Sequence, residues 1–165
     1  MFTLYGDSIF ESPDYSKLSK SHKTKSDKKF RFIDFKSSEI KKYLDKDEDL
    51  KNKFSLWIKL NKVGEIAICT NDDKFAGYVG VGTKDKSKGI LHPLIVNSNY
   101  RGRGLSDILV DDAIKKYGAY ELGVYADNAV AIKLYESHGF VKVSEYYYKG
   151  ELVYIMILKN KVISR

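Results

Sequence analysis

A chain of 165 residues, 43% hydrophobic and 31% charged, has the size of one domain and can bury a core while staying in solution, which excludes disorder, collagen and coiled coil as descriptions of the whole. Its longest apolar run, the seven residues Leu152–Leu158, falls far short of the about 20 that a membrane-spanning helix needs, and its single cysteine, Cys69, excludes an internal disulfide and a cysteine-built zinc site. The net charge of +7 is concentrated: seven basic residues and one acidic, Asp27, fall between Lys17 and Arg31.

Met1–Lys29 reads as a basic N-terminal extension, and residues 30–165 as the domain proper. Asp7, Glu11 and Asp14 occur early with no basic residue before them, which does not make a secretory signal, so a cytoplasmic protein is expected. Ser16–Lys29 has no periodicity and reads as loop or tail. A charge block of this kind is usually a solvated segment; phosphate or nucleic-acid contact is the lesser reading, because no aromatic residues are interleaved with the charges.

The strand-like residues Phe30, Phe32, Ile33 and Phe35 come first. Ser37-Ser38-Glu39 offers a helix start, followed by Ile40, Tyr43 and Leu44 at helical spacing. A second short helix is expected over Glu48–Phe54. From Leu56 the period changes, and Leu56–Leu60 and Val63–Thr70 read as strand. Asn71–Lys74 is a turn, Phe75–Gly82 a strand and Thr83–Lys88 a polar turn. Ile90–Val96 is apolar on both faces, as in a central strand, except that Pro93 removes a ladder donor and so predicts a bulge or splay. Leu105, Ile108, Leu109, Ala113 and Tyr117 form a helical stripe ended by Gly118. Tyr120–Tyr125 is a strand. Asp127 or Asn128 caps a last helix with the stripe Ala131, Leu134, Tyr135 and His138, and Gly139 fits a left-handed C-terminal position. Phe140–Tyr148 and Glu151–Leu158 form two strands around Lys149-Gly150. The order β, α, α, β, β, β, α, β, α, β, β describes a mixed α/β (α+β) domain.

The strongest local signal is the strand, turn and helix around Asn97–Leu109. In Arg101-Gly102-Arg103-Gly104-Leu105-Ser106, two glycines let the backbone turn tightly and approach a ligand. The helix that follows starts with unpaired N–H groups and partial positive charge, and Arg101 and Arg103 add full charges: together, a candidate pyrophosphate cradle. Other nucleotide motifs fail. Gly77–Gly82 continues Thr83-Lys84, the reverse of the P-loop order, and no Gly-x-Gly-x-x-Gly follows a strand. His22, His92 and His138 show no metal-ligand spacing, and no metal is expected.

Arg101-Gly102-Arg103-Gly104-Leu105-Ser106 resembles the acetyl-CoA signature Arg/Gln-x-x-Gly-x-Gly/Ala of the GCN5-related N-acetyltransferase (GNAT) superfamily. Leu122-Gly123-Val124, then Asn128, Ala131, Leu134, Tyr135, Gly139 and Phe140, resembles the family's second segment. The two halves occur in order over about residues 30–160. The resemblance implies a mixed, mostly antiparallel sheet whose fourth and fifth strands splay, with acetyl-CoA in the gap as acyl donor. It assigns the backbone of Leu94, Ile95 and Val96 to the pantetheine arm and the acetyl carbonyl, and the amides of Gly102–Ser106 to the pyrophosphate. Tyr135 matches the general acid that protonates the departing thiolate, and Asn128 a helix cap that also bonds near the thioester. The family's base is often a Glu; His92 and Gly123 stand at those positions here, so His92 is the candidate base, and an amine already deprotonated in solution is the alternative. Ser106 departs from the usual Gly or Ala.

The activity expected is N-acetyl transfer to a primary amine by direct attack in a ternary complex. The acceptor is a small molecule or a protein, and homodimers occur among similar proteins; neither nucleic acid nor membrane is an expected partner. A CoA-binding module without turnover, and a nucleic-acid-binding domain using the basic segment, are the competing readings. Asp45–Asp49 lies where the family shapes its acceptor site. Cys69 reads as a buried structural thiol.

Overall fold

The computed structural model describes residues 29–85 and 88–159. The expected extension, apart from Lys29, lies outside them, as do the last six residues. Among the described residues seven strands and four helices follow in chain order: β1 (Phe30–Asp34), α1 (Ile40–Leu44), α2 (Glu48–Lys59), β2 (Val63–Cys69), β3 (Lys74–Asp85), β4 (Lys88–Val96), α3 (Leu105–Lys115), β5 (Ala119–Tyr125), α4 (Ala129–Ser137), β6 (Phe140–Tyr148) and β7 (Glu151–Leu158), with a short 3-10 turn at Ser98–Tyr100. The strands form one sheet in the order β1-β2-β3-β4-β5-β7-β6. Every pairing is antiparallel except β4 with β5. This is the mixed α+β architecture that the motifs implied.

Period-two alternation sends the two faces of each strand to different cores. Ile66 and Ile68 of β2 pack with Tyr43, Leu44, Leu50 and Trp57 of α1 and α2. Ala67 and Cys69 belong to the opposite core, with Leu105, Leu109 and Ala113 of α3 and Ala131, Leu134 and Tyr135 of α4. The sheet is therefore covered on both sides, and Cys69 is a buried thiol.

Two expectations are corrected. Leu56–Leu60 is not a strand. Asp47 caps α2 by accepting the Leu50 N–H at 3.0 Å, and the stripe Leu50, Phe54 and Trp57 carries the helix on to Lys59. Leu56, Ile58 and Leu60, which imitate strand alternation, lie on its exposed side. Nor is Thr83–Lys88 a turn throughout, because β3 runs to Asp85 and β4 starts at Lys88. The later elements fall where expected: Asn128 caps α4 by accepting the Ala131 N–H at 3.1 Å, and Gly139 sits at φ 98°. Among the described residues no helix is long and apolar enough to cross a membrane.

A buried carboxyl ties β2 to α3. Glu65 is 2% exposed, with Lys116 Nζ at 3.5 Å and the Tyr117 hydroxyl at 3.3 Å from Oε1. Burial, with the Asp112 carboxyl hydrogen-bonded beside it, pushes Glu65 up to about 8. The folded chain thus holds a proton that the unfolded chain releases above about 4.5. That contribution is complete in acid and is lost as pH rises through about 8. Thermal melts are expected to fall between pH 5 and pH 9 by an amount on the order of 2 kcal/mol, and Glu65→Gln is expected to flatten that slope. An unchanged slope in the variant would remove Glu65 as its source.

Candidate active site

The site starts at Pro93. Val79 of β3 pairs with Leu94 and Val81 with Leu91, so His92 and Pro93 together oppose the single residue Gly80. This is a β-bulge, the irregularity expected where a prolyl nitrogen brings no donor. A Cβ on Gly80 would lie 2.8 Å from the His92 carbonyl oxygen, so the close approach needs glycine. Beyond the bulge β4 stays with β3 as far as Val96 but parts from β5. The parallel pairing consists of Gly89 with Ala119 and Ile90 with Glu121. From Leu122 onward β5 pairs with β7. Leu94, Ile95 and Val96 therefore lie along an edge that β5 does not pair with. Leu94 and Val96 send their side chains to the α3 core and Ile95 to the α2 side.

The chain then turns into α3. Gly102 and Gly104 have φ of 75° and 80°, left-handed values that cost an L-residue about 1–2 kcal/mol. Gly104 is the N-terminal flank of α3 and no side chain caps the helix. The first N–H groups of Leu105, Ser106 and Asp107 thus end the helix without intrahelical acceptors, at its positive pole. Arg101 Nε donates to the Val96 carbonyl at 3.1 Å, fastening the loop to the end of β4. The Arg103 guanidinium lies 5.4 Å over the Tyr100 ring, and the Tyr100 hydroxyl donates to Asp72 at 2.6 Å. Ser106 is buried, 4% exposed, so its small side chain packs inward and its amide stays with the helix start. Asp107, whose charge opposes an anion, is turned aside: its Oδ1 lies 2.9 Å from His138 Nε2, while His138 Nδ1 lies 3.0 Å from Asp111.

Tyr135 sits on α4, in the core cluster that also holds Leu94, Val96, Leu122 and Val124 from the two parting strands. It is 1% exposed and edge-on to Phe140, with ring centroids 6.1 Å apart. Burial raises its hydroxyl well above the usual phenol range, which keeps it protonated and able to donate.

On the opposite face a cavity of about 720 Å³ opens between α2 and the C-terminal half of β4. Trp57, Phe75, Tyr78 and Ile95 form its apolar wall, with Asp47, Asp49 and Asn97 among its polar groups. Two of the acidic residues expected near an acceptor are thus present. Asp49 is paired with Lys53 at 3.0 Å, and Asp45 is directed to Lys51 at 3.8 Å. His92 also lines the cavity. Its Nδ1 lies 2.8 Å from Lys62 Nζ, which donates to the His92 carbonyl at 3.0 Å, and its Nε2 is shielded from solvent.

The structure thus runs Leu94–Val96 into the Arg101–Ser106 turn, buries Tyr135 in the core with Leu94 and Val96, leaves Asn128 as the cap of α4, and puts His92 on the side of the α2 cavity. Lys62 carries no signal in the sequence. It stands in a polar connection after a helix, and only the packing of α2 against the bulge shows that it is buried.

Residues 30–140 match the profile of the Acetyltransferase (GNAT) family. No curated protein matches the chain. Among solved structures, the chain is similar to an IAA acetyltransferase from Bacillus cereus, with TM-score 0.55 and 15% identity over 78% of this chain and 97% of that one. A subunit of the NatC complex bound to Gag peptide and CoA gives TM-score 0.54 and 22% identity over 81% and 99%. A Bacillus anthracis protein described as a streptothricin acetyltransferase, in complex with acetyl coenzyme A, gives 0.53 and 22% over 61% and 63%. At these identities the likeness is one of fold.

Proposed function

This chain belongs to the acetyltransferase (GNAT) family, and from that premise we infer that it moves the acetyl group of acetyl-CoA to a primary amine by direct attack in a ternary complex. The observation that carries the reading is the parting of β4 from β5 after Ile90, directly before the glycine turn and the uncapped start of α3. An uncovered strand edge offers the amide bonds that an extended pantetheine arm takes, in the manner of an added strand. The amides of Gly102–Ser106, with Arg101 and Arg103 beside them, suit a pyrophosphate. A backbone N–H from Leu94–Val96 directed at the thioester oxygen stabilises the charge that develops there. Tyr135, held protonated, supplies the proton to the departing sulfur, and His92 receives the proton of the attacking amine. Asn128 fixes the start of the helix that carries Tyr135. The acceptor enters from the cavity beneath α2, whose aromatic wall and acidic rim suit an amine with an apolar body.

A second reading, CoA binding without turnover, draws on the burial of Tyr135 and the shielding of His92 Nε2. Calorimetric titration with acetyl-CoA, followed by thiol release across a panel of small amines and peptide N-termini, separates the two. Binding with amine-dependent thiol release is expected. Binding without release from any amine supports the second reading, and no binding overturns both.

A further inference from the structure

Lys62 is 5% exposed and stands between α2 and β2. Its N–H donates to the Trp57 carbonyl at 2.9 Å, and its methylenes run across Gly82, where an added Cβ would touch them at 3.5 Å. This delivers the Lys62 amine to the bulge of β4, between His92 Nδ1 and the His92 carbonyl. The two hydrogen bonds place different demands on it. The carbonyl can only accept. An ammonium has three N–H groups and no lone pair, so a charged Lys62 meets Nδ1 only as donor. The neutral ring then carries its proton on Nε2 and has no lone pair there. When the pair gives up one proton, the Lys62 amine can accept from Nδ1–H while still donating to the carbonyl, and Nε2 presents its lone pair.

We propose that Lys62 is a positioning residue for the transfer reaction: its hold on Nδ1 decides which ring nitrogen of His92 bears the proton, and so when the imidazole can act as base. The role rests on the acetyl-transfer reading above. In the step, a proton of the attacking amine goes to His92 Nε2 and the Nδ1 proton goes to Lys62 Nζ. The new N–C bond forms as the C–S bond breaks, and Tyr135 protonates the sulfur. The pair then releases its proton to solvent, from which Tyr135 is replenished. Burial alone lowers the Lys62 ammonium, to about 8. Trp57 of α2 meets Lys62 through its carbonyl and β3 meets it at Gly82, while His92 of β4 is the titratable neighbour in reach. On the cleft side His92 shares its walls with Asp47, Asp49, Lys53 and Lys74. Transfer is therefore expected to rise as pH passes upward through about 8.

The test is nitrogen NMR of the full chain with labelled histidine, the His92 signals being assigned by their loss in His92→Gln. In the wild-type protein His92 is expected to be Nε2-protonated at pH 7 and to convert to the Nδ1-protonated form as pH rises. Lys62→Arg, which stays a donor, is expected to hold the Nε2-protonated form up to pH 9.5. The same variant is expected to keep acetyl-CoA affinity, lose the alkaline rise and lower kcat roughly tenfold. Lys62→Met is expected to remove the hold on Nδ1 and with it the pH-driven change of tautomer; if it fails to fold, Lys62→Arg still decides. A wild-type tautomer that does not change with pH, or a Lys62→Arg protein that matches wild type in NMR and pH profile, overturns the proposal. A tautomer switch in a protein that acetylates no amine leaves the hold of Lys62 on His92 standing and sinks the acetyl-transfer reading instead.

Discussion

Tyr135→Phe is expected to lower kcat by about 100-fold or more and to leave acetyl-CoA affinity unchanged, because a positioned general acid is worth about 100- to 10,000-fold. The substitution removes one oxygen from a ring that is 1% exposed and packed edge-on to Phe140, so the hydrocarbon packing survives. What is lost is the proton donor. Burial holds that donor in its neutral form well above the usual phenol range, and nothing else in the proposed reaction requires the hydroxyl. The loss should fall on kcat and not on binding, since the glycine turn proposed for the pyrophosphate and the unpaired edge of β4 lie on other elements. Steady-state kinetics beside calorimetry measure the two separately. Turnover at the wild-type rate would take Tyr135 out of the reaction.

Gly89→Ala is expected to destabilise the fold by about 2–4 kcal/mol, at or above the usual cost of about 1–3 kcal/mol for overpacking, because the clash is with backbone. Gly89 is the first residue of β4 to pair with β5, opposite Ala119. A Cβ there would collide with the Gly118 carbonyl oxygen and approach Val81 Cγ1 at 2.9 Å. The Gly118 atoms belong to backbone, which cannot rotate away. Because the two strands are joined by only this pair and Ile90–Glu121, the gap ahead of them has no second anchor. For a chain of this size about 2–4 °C is lost per kcal/mol, so the melting temperature should fall by roughly 5–15 °C, and acetyl-CoA affinity should fall with it. A melt within 1 °C of wild type would show that the junction tolerates the methyl group.

The element order, the hairpin of β6 and β7, a cap at Asp127 or Asn128, the tight glycine turn before α3 and the left-handed Gly139 were legible in the residues. Each rests on a local rule: a short polar acceptor one turn before a buried stripe, a glycine where φ must be positive, alternation on either side of a Lys-Gly turn. The misreading of Leu56–Leu60 has the same root. Leu56, Ile58 and Leu60 alternate as a strand would, yet they are 54%, 47% and 48% exposed on a helix that starts nine residues earlier at the Asp47 cap. Local apolar period does not say which side of an element meets the core. The engagement of Asp107 by His138, 31 positions apart, was out of reach for the same reason.

Most of the elements, the glycine turn into α3 and the polar cap that aims α4 follow from the residues alone, because these depend on neighbours within about one helical turn or one hairpin. Pro93 announced that β4 would be irregular. Packing alone set how far β4 and β5 diverge, that Tyr135 is sealed in the core beneath them, and that a lysine from the connection between α2 and β2 reaches His92. Those outcomes depend on which surfaces exclude water once distant segments pack. Pairs such as Lys62 and His92, 30 positions apart, become partners only when packing has removed the solvent that would otherwise serve each of them alone.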